Sequence, residues 1–185
     1  MMRRTLSVIS EDNPGVLTRL AGLIYRRGYN VESLSVGRTD IPGFSRFTVV
    51  VNGDDGVIDQ VAKQLDKLIE VVSVRRLSPG RSVERWLLLM KVKAPVHMRP
   101  QVLQAAEIFR CRVVDVGAEA VVLELTGDKG KVEACVEALR PYGILEMTSS
   151  GSVAMERAGF AEAQGEPGEN AYSSADSFSS VAFTF

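Results

Sequence analysis

The 185-residue sequence predicts an α+β protein built as two tandem ferredoxin-like βαββαβ units. Three observations carry that reading. Segments of β-branched alternation and segments with one-sided apolar stripes follow one another as strand, helix, strand, strand, helix, strand. The same order then begins a second time. Between the two runs lies a short polar break, Ser78-Pro79-Gly80-Arg81-Ser82. The expected layout is a first unit over 1–78, a linker over 79–83, a second unit over 84–159 and a disordered tail over 160–185.

Residues 4–10 are β-branched and read as the first strand. The polar stretch Ser10-Glu11-Asp12-Asn13-Pro14-Gly15-Val16-Leu17 then starts a helix at about residue 14, with Pro14 at the first helical position and Asp12 or Asn13 able to cap its free N–H groups. Val16, Leu17, Leu20, Ala21, Leu23 and Ile24 form one stripe, and Gly28 ends the helix. Residues 29–37 give the second strand and 44–52 the third, with Phe47, Val49 and Val51 on one face and Thr48 and Val50 on the other. A second helix uses Val57, Ile58, Val61, Ala62, Leu65, Leu68 and Ile69, and residues 71–77 close the unit as a strand. After the break come a strand over 85–93, a helix over 100–109, strands over 112–116 and 120–126, a helix from Asp128 to Arg140-Pro141, and a last strand over 142–149. From Gly159 the glycine-, glutamate- and serine-rich composition is that of a disordered tail.

Composition excludes several function classes. A hydrophobic content of 45% with a formal charge of −1 is ordinary for a globular protein and gives no general attraction to nucleic acid or an anionic membrane. Cys111 and Cys135 lie in apolar segments and form no CxxC pair, so reduced, buried thiols are expected rather than a disulfide or metal site. The N-terminal Met1-Met2-Arg3-Arg4 runs straight into strand, too polar and short for a signal peptide, and no apolar run reaches membrane-spanning length. A cytoplasmic protein is expected.

Catalytic chemistry has no visible home. His97 is the single histidine, in a Pro-flanked turn, without a second imidazole at helical spacing. Gly127-Asp128-Lys129-Gly130-Lys131 is too short for GxxxxGK and reads as a helix-start turn. Neither a GxSxG elbow nor a GxGxxG turn is present. The pairs Arg3-Arg4, Arg26-Arg27 and Arg75-Arg76 raise RNA binding, but the first strand lacks exposed aromatics and the third lacks the RNP1 pattern, which disfavours it.

One stretch points to a ligand. Gly15 leaves the backbone uncovered, so a small carboxylate could approach the first-turn amides of the helix. The alternative is a well-capped helix start and nothing more. The matching turn of the second unit, Ala94-Pro95-Val96-His97-Met98-Arg99-Pro100, has no glycine beside the helix start, which makes the first unit the better candidate.

Arg3-Arg4-Thr5-Leu6-Ser7-Val8, Glu11-Asp12-Asn13-Pro14-Gly15-Val16-Leu17, Arg27-Gly28-Tyr29-Asn30-Val31-Glu32-Ser33-Leu34 and Ser45-Arg46-Phe47-Thr48 together resemble the small regulatory subunits of acetolactate synthase (acetohydroxyacid synthase). In the second unit Lys91-Val92-Lys93-Ala94, Glu107-Ile108-Phe109-Arg110, Val113-Val114-Asp115-Val116, Leu125-Thr126-Gly127 and Arg140-Pro141-Tyr142-Gly143-Ile144 resemble them too. The likeness covers residues 2 to about 159. It implies that the first unit is an ACT domain, that two such domains pair side by side in a homodimer, and that an effector sits between them. On this chain the implied effector site is Asp12, Asn13, Pro14, Gly15, Val16 and Leu17 from one subunit with Asn30 and Val31 from its partner. Many relatives carry asparagine where this chain has Asp12, whose carboxylate repels an effector carboxylate and attracts its ammonium. The implied role is regulatory: activation of a catalytic large subunit that holds thiamine diphosphate, FAD and magnesium, and feedback inhibition by valine or another branched-chain amino acid. No cofactor, metal, nucleic acid or membrane is implied for this chain. A free-standing ACT-type amino-acid sensor or regulator is the alternative.

Overall fold

The computed structural model describes residues 2–160, and the expected tail lies beyond Phe160, outside the described residues. The first half runs β1 (Met2–Glu11), α1 (Val16–Arg26), β2 (Val31–Arg38), β3 (Phe44–Gly53), α2 (Asp55–Leu65) and β4 (Val71–Leu77). Its sheet has the order β2-β3-β1-β4, every pair antiparallel. The second half runs β5 (Ser82–Lys93), α3 (Arg99–Ile108), β6 (Arg112–Val116), β7 (Ala120–Gly127), α4 (Lys129–Leu139), β8 (Ile144–Ser149) and β9 (Val153–Glu156), with the order β6-β7-β5-β8 and β9 paired to the start of β5. The two βαββαβ units are thus as expected.

Each half closes its own core between helices and sheet. In the first, Leu6, Val8, Phe47, Val49 and Val51 pack against Val16, Leu20, Ile24, Ile58, Val61 and Leu65. In the second, Leu88, Met90, Val92, Leu123 and Leu125 pack against Val102, Ala106, Val132, Cys135 and Leu139. The stripe of α1 is narrower than expected: Leu17 and Ala21 are exposed, and Val16, Leu20, Leu23 and Ile24 alone are buried. Cys135 is buried and Cys111 half-buried, both free, with their sulfurs 3.5 Å apart. The thiol of Cys111 is lowered and that of Cys135 pushed up, chiefly by this contact.

The repeat extends to helix starts. Asp54 caps α2 by accepting from the Val57 N–H at 2.9 Å, and Asp128 caps α4 by accepting from the Lys131 N–H at 2.8 Å. A glycine precedes each cap because a Cβ on Gly53 would lie 2.8 Å from Val57, and one on Gly127 would lie 2.7 Å from Lys131. Asp128→Ala is expected to lower stability by about 1 kcal/mol, the usual worth of an N-cap, read from the denaturant midpoint at unchanged slope.

Strand β9 was not foreseen, and it alters the architecture. The helix-free face of the first sheet carries Thr5, Ser7, Ser33, Thr48 and Val50, all buried. The segment entering β9 lies on this face: the Ser152 N–H donates to Ser33 Oγ at 2.9 Å, and Ser35 Oγ donates to the Ser150 carbonyl at 2.8 Å. Gly151, at φ +75°, makes the close approach, since a Cβ there would meet both serine oxygens at 2.9 Å. Arg75 of β4 pairs with Glu156 at 3.7 Å, and Ala154 is buried between these contacts. The surface on which an RNA-binding sheet stacks bases is therefore occupied.

Candidate effector site

Two backbone hydrogen bonds pin the turn between β1 and α1. The Glu11 N–H donates to the Glu70 carbonyl at 2.9 Å and the Asp12 N–H to the Gly43 carbonyl at 2.8 Å. From there the chain turns outward, and Asp12, Asn13, Pro14 and Gly15 are all exposed.

The helix start differs from the sequence expectation. Pro14 is not the first helical residue, and neither Asp12 nor Asn13 caps the helix. The N-cap is Gly15 at φ +88° and ψ −6°, a left-handed conformation that glycine adopts without steric cost. Its carbonyl accepts from the Arg19 N–H at 3.0 Å, while the Asn13 side chain donates to the Glu11 carboxylate at 2.7 Å. Among the described residues no acceptor meets the N–H groups of Leu17 and Thr18. Such free first-turn amides, with the helix dipole behind them, favour a carboxylate.

Around these amides the side chains divide by chemistry. Val16 is buried in the core, whereas Leu17 is 47% exposed and offers an apolar contact beside the amides. Arg19 brings a cation to the turn: a Cβ on Gly15 would lie 3.8 Å from its Nη1. Its Nη2 is held by Glu70 at 2.5 Å. No sequence signal marked Arg19, because its place depends on Glu70, which lies just before β4 and far along the chain.

Asn30 and Val31 lie at the other end of α1. Asn30 is exposed and its carbonyl accepts from the Asn52 N–H at 3.1 Å, while Val31 packs against the first core. The 11 residues of α1 span about 16 Å, so these two sets of residues are held apart within one chain. A cavity of about 590 Å³ between β2, β3 and the β5–β9 ribbon, lined by Arg38, Arg46, Arg85, Val153 and Met155, includes none of the eight predicted residues.

Next to Val31, Glu32 enters a charged cluster between the halves. Its carboxylate accepts from Arg3 at 3.1 Å, Lys129 at 2.8 Å and Asn52 at 3.2 Å. Arg3 also binds the Glu84 carboxylate, which accepts from the Trp86 indole at 2.9 Å. Burial pushes the Glu32 carboxyl up, but hydrogen bonds from Lys129, Arg3 and Asn52 outweigh it and hold it below the ordinary range. Glu84 is likewise raised by burial and lowered further by Arg3 and Trp86. Lowered folded-state values mean stabilisation that is complete above the ordinary carboxylate range and lost as pH falls through them. Melting temperatures followed down an acid titration are expected to drop there, and Glu32→Gln should flatten the drop.

Among the described residues no group of three or more His, Cys, Asp or Glu could hold a metal ion, and no helix is long and apolar enough to cross a membrane.

The first half matches the family model described as the AHAS small subunit-like ACT domain over residues 6–73. Two ferredoxin-like units, the first of this type, make an ACT-domain regulatory protein. Residues 85–158 match the model for the small subunit of acetolactate synthase. A probable acetolactate synthase small subunit of Archaeoglobus fulgidus is 48% identical over 156 residues, covering 84% of this chain and 98% of the relative. The acetolactate synthase small subunit of Mycobacterium bovis is 46% identical over 153 residues, covering 83% and 91%. The crystal structure of the Thermotoga maritima small subunit superposes with a TM-score of 0.80 at 38% identity, covering 85% of this chain and 98% of that one. The chain belongs to the family of acetolactate synthase small subunits, the regulatory, non-catalytic subunits of an enzyme of branched-chain amino acid biosynthesis.

Proposed function

We propose that this chain activates the catalytic large subunit of acetolactate synthase and makes it sensitive to a branched-chain end product, with valine the first candidate. The effector lies between the ACT domains of a homodimer. Its α-carboxylate meets the free amides of Leu17 and Thr18 beside Gly15 and Val16 of one protomer, and the Asn30 and Val31 segment of the partner closes over its other end. Asp12 stands where it can attract the ammonium group. Thiamine diphosphate, FAD and magnesium belong to the large subunit, where the chemistry takes place.

The observation that carries this reading is the uncovered helix start at left-handed Gly15, with the Leu17 and Thr18 N–H groups free of acceptors among the described residues and Leu17 exposed beside them. The span of α1 supports the two-chain site, because Asn30 is out of reach of the amides in its own protomer. An effector inhibits by binding the inhibited state better than the active one, and a site between two pairing domains can supply that difference. The test mixes purified chain with its large subunit and titrates valine, leucine and isoleucine. Activation followed by saturable inhibition is expected, and absence of both would overturn the proposal.

A further inference from the structure

Glu32 occupies an unusual place in β2. Val31 pairs with Val51 and Ser33 with Val50, so the strand carries one extra residue at Glu32, a β-bulge. Bulges turn a side chain out of the strand's alternation, and this one delivers a carboxylate to the boundary between the halves. There it accepts from Lys129, the first residue of α4, and from Arg3, whose remaining guanidinium nitrogens engage Glu84 of β5. The next residue, Ser33, receives the Ser152 N–H. Two consecutive residues of β2 therefore hold the second half, immediately after Asn30 and Val31. Asn52 closes the arrangement, its backbone N–H donating to the Asn30 carbonyl and its side chain to Glu32.

We infer that Glu32 is a positioning residue: bulged out of β2 and held by Lys129 and Arg3, it sets the Asn30–Val31 segment for the effector and couples effector occupancy to the second half. This rests on the effector site proposed above. A segment already ordered by the Lys129–Glu32–Asn52 chain of contacts loses less freedom when the effector binds. Because linkage is reciprocal, a second half held through the same carboxylate must respond to the effector by the same free energy with which it favours binding.

The experiment uses the holoenzyme with three variants of this chain. Glu32→Gln removes the charge at nearly constant shape. Lys129→Met removes the partner from outside the first half and keeps the test open should the first variant be less stable. Lys91→Met, which breaks the exposed pair with Glu146, is the control. Glu32→Gln and Lys129→Met are each expected to activate the large subunit as wild type does and to raise the half-inhibitory valine concentration about fivefold or more. Combined, they should cost no more than either alone, as for two ends of one contact, and the control should leave inhibition unchanged. Calorimetry on wild type separates the two readings. Valine bound and inhibiting normally in all variants would overturn the role of Glu32 while leaving the site intact. No branched-chain amino acid bound by wild type would overturn both.

Discussion

Replacing Gly15 by aspartate is expected to abolish valine inhibition while leaving the fold and the activation of the large subunit in place. The residue is at φ +88° and ψ −6°, where a side chain costs about 1–2 kcal/mol and aspartate is among the few residues that visit routinely. Room exists for the new atom, since a Cβ finds only Arg19 Nη1, at 3.8 Å. The carboxylate would then stand over the free amides of α1 and repel the effector's own. Loss of about 1.4 kcal/mol already raises Kd tenfold, and exclusion from those donors costs at least that much. Gly15→Ala shares the backbone strain without the charge and is expected to retain most of the inhibition. Valine titrations of the two variants beside wild type check the prediction. An unchanged response in Gly15→Asp would remove the turn from the site.

Ala154→Asp is expected to be the most destabilising single change on β9. Ala154 is buried on the strand that covers the helix-free face of the first sheet, between the Ser152–Ser33 and Glu156–Arg75 contacts. An unpaired charge kept there costs several kcal/mol. The chain can escape only by lifting β9, which exposes Val50 and gives up those contacts. Either route amounts to about 2–4 kcal/mol, or roughly 5–15 °C in melting temperature for a chain of this size. Ala154→Ser, small and uncharged, should melt near wild type. Thermal melts together with limited proteolysis between the halves measure both, and an Ala154→Asp melt matching wild type would show that β9 does not anchor them.

Much of the fold was legible in local pattern. Period-two and helical stripes gave all eight strands and four helices of the two units in order, including the start of the last helix near Asp128, while the capping by Asp54 and Asp128 came only with the structure. The start of α1 was misread because Asn-Pro is a good helix opening in isolation. In the folded chain Asn13 is taken by Glu11, and the left-handed turn at Gly15 delays the helix to Val16. β9 was invisible for another reason. Val153-Ala154-Met155-Glu156 is too short to show alternation, and its burial depends on residues more than a hundred positions away.

The sequence by itself determined the two βαββαβ units, the apolar faces that close their cores and the glycine that keeps one helix start bare, because these depend on neighbours a few positions apart. Tertiary structure decided how the halves join, through the Glu32 bulge held by Lys129 and Arg3, the Ser33–Ser152 contact and the burial of Ala154, and within the second half it decided the meeting of Cys111 with Cys135. Each brings together polar or small groups far apart in the chain. Hydrogen bonds and ion pairs of this kind leave no periodicity behind, and their geometry depends on where the two hydrophobic cores hold the elements that carry them.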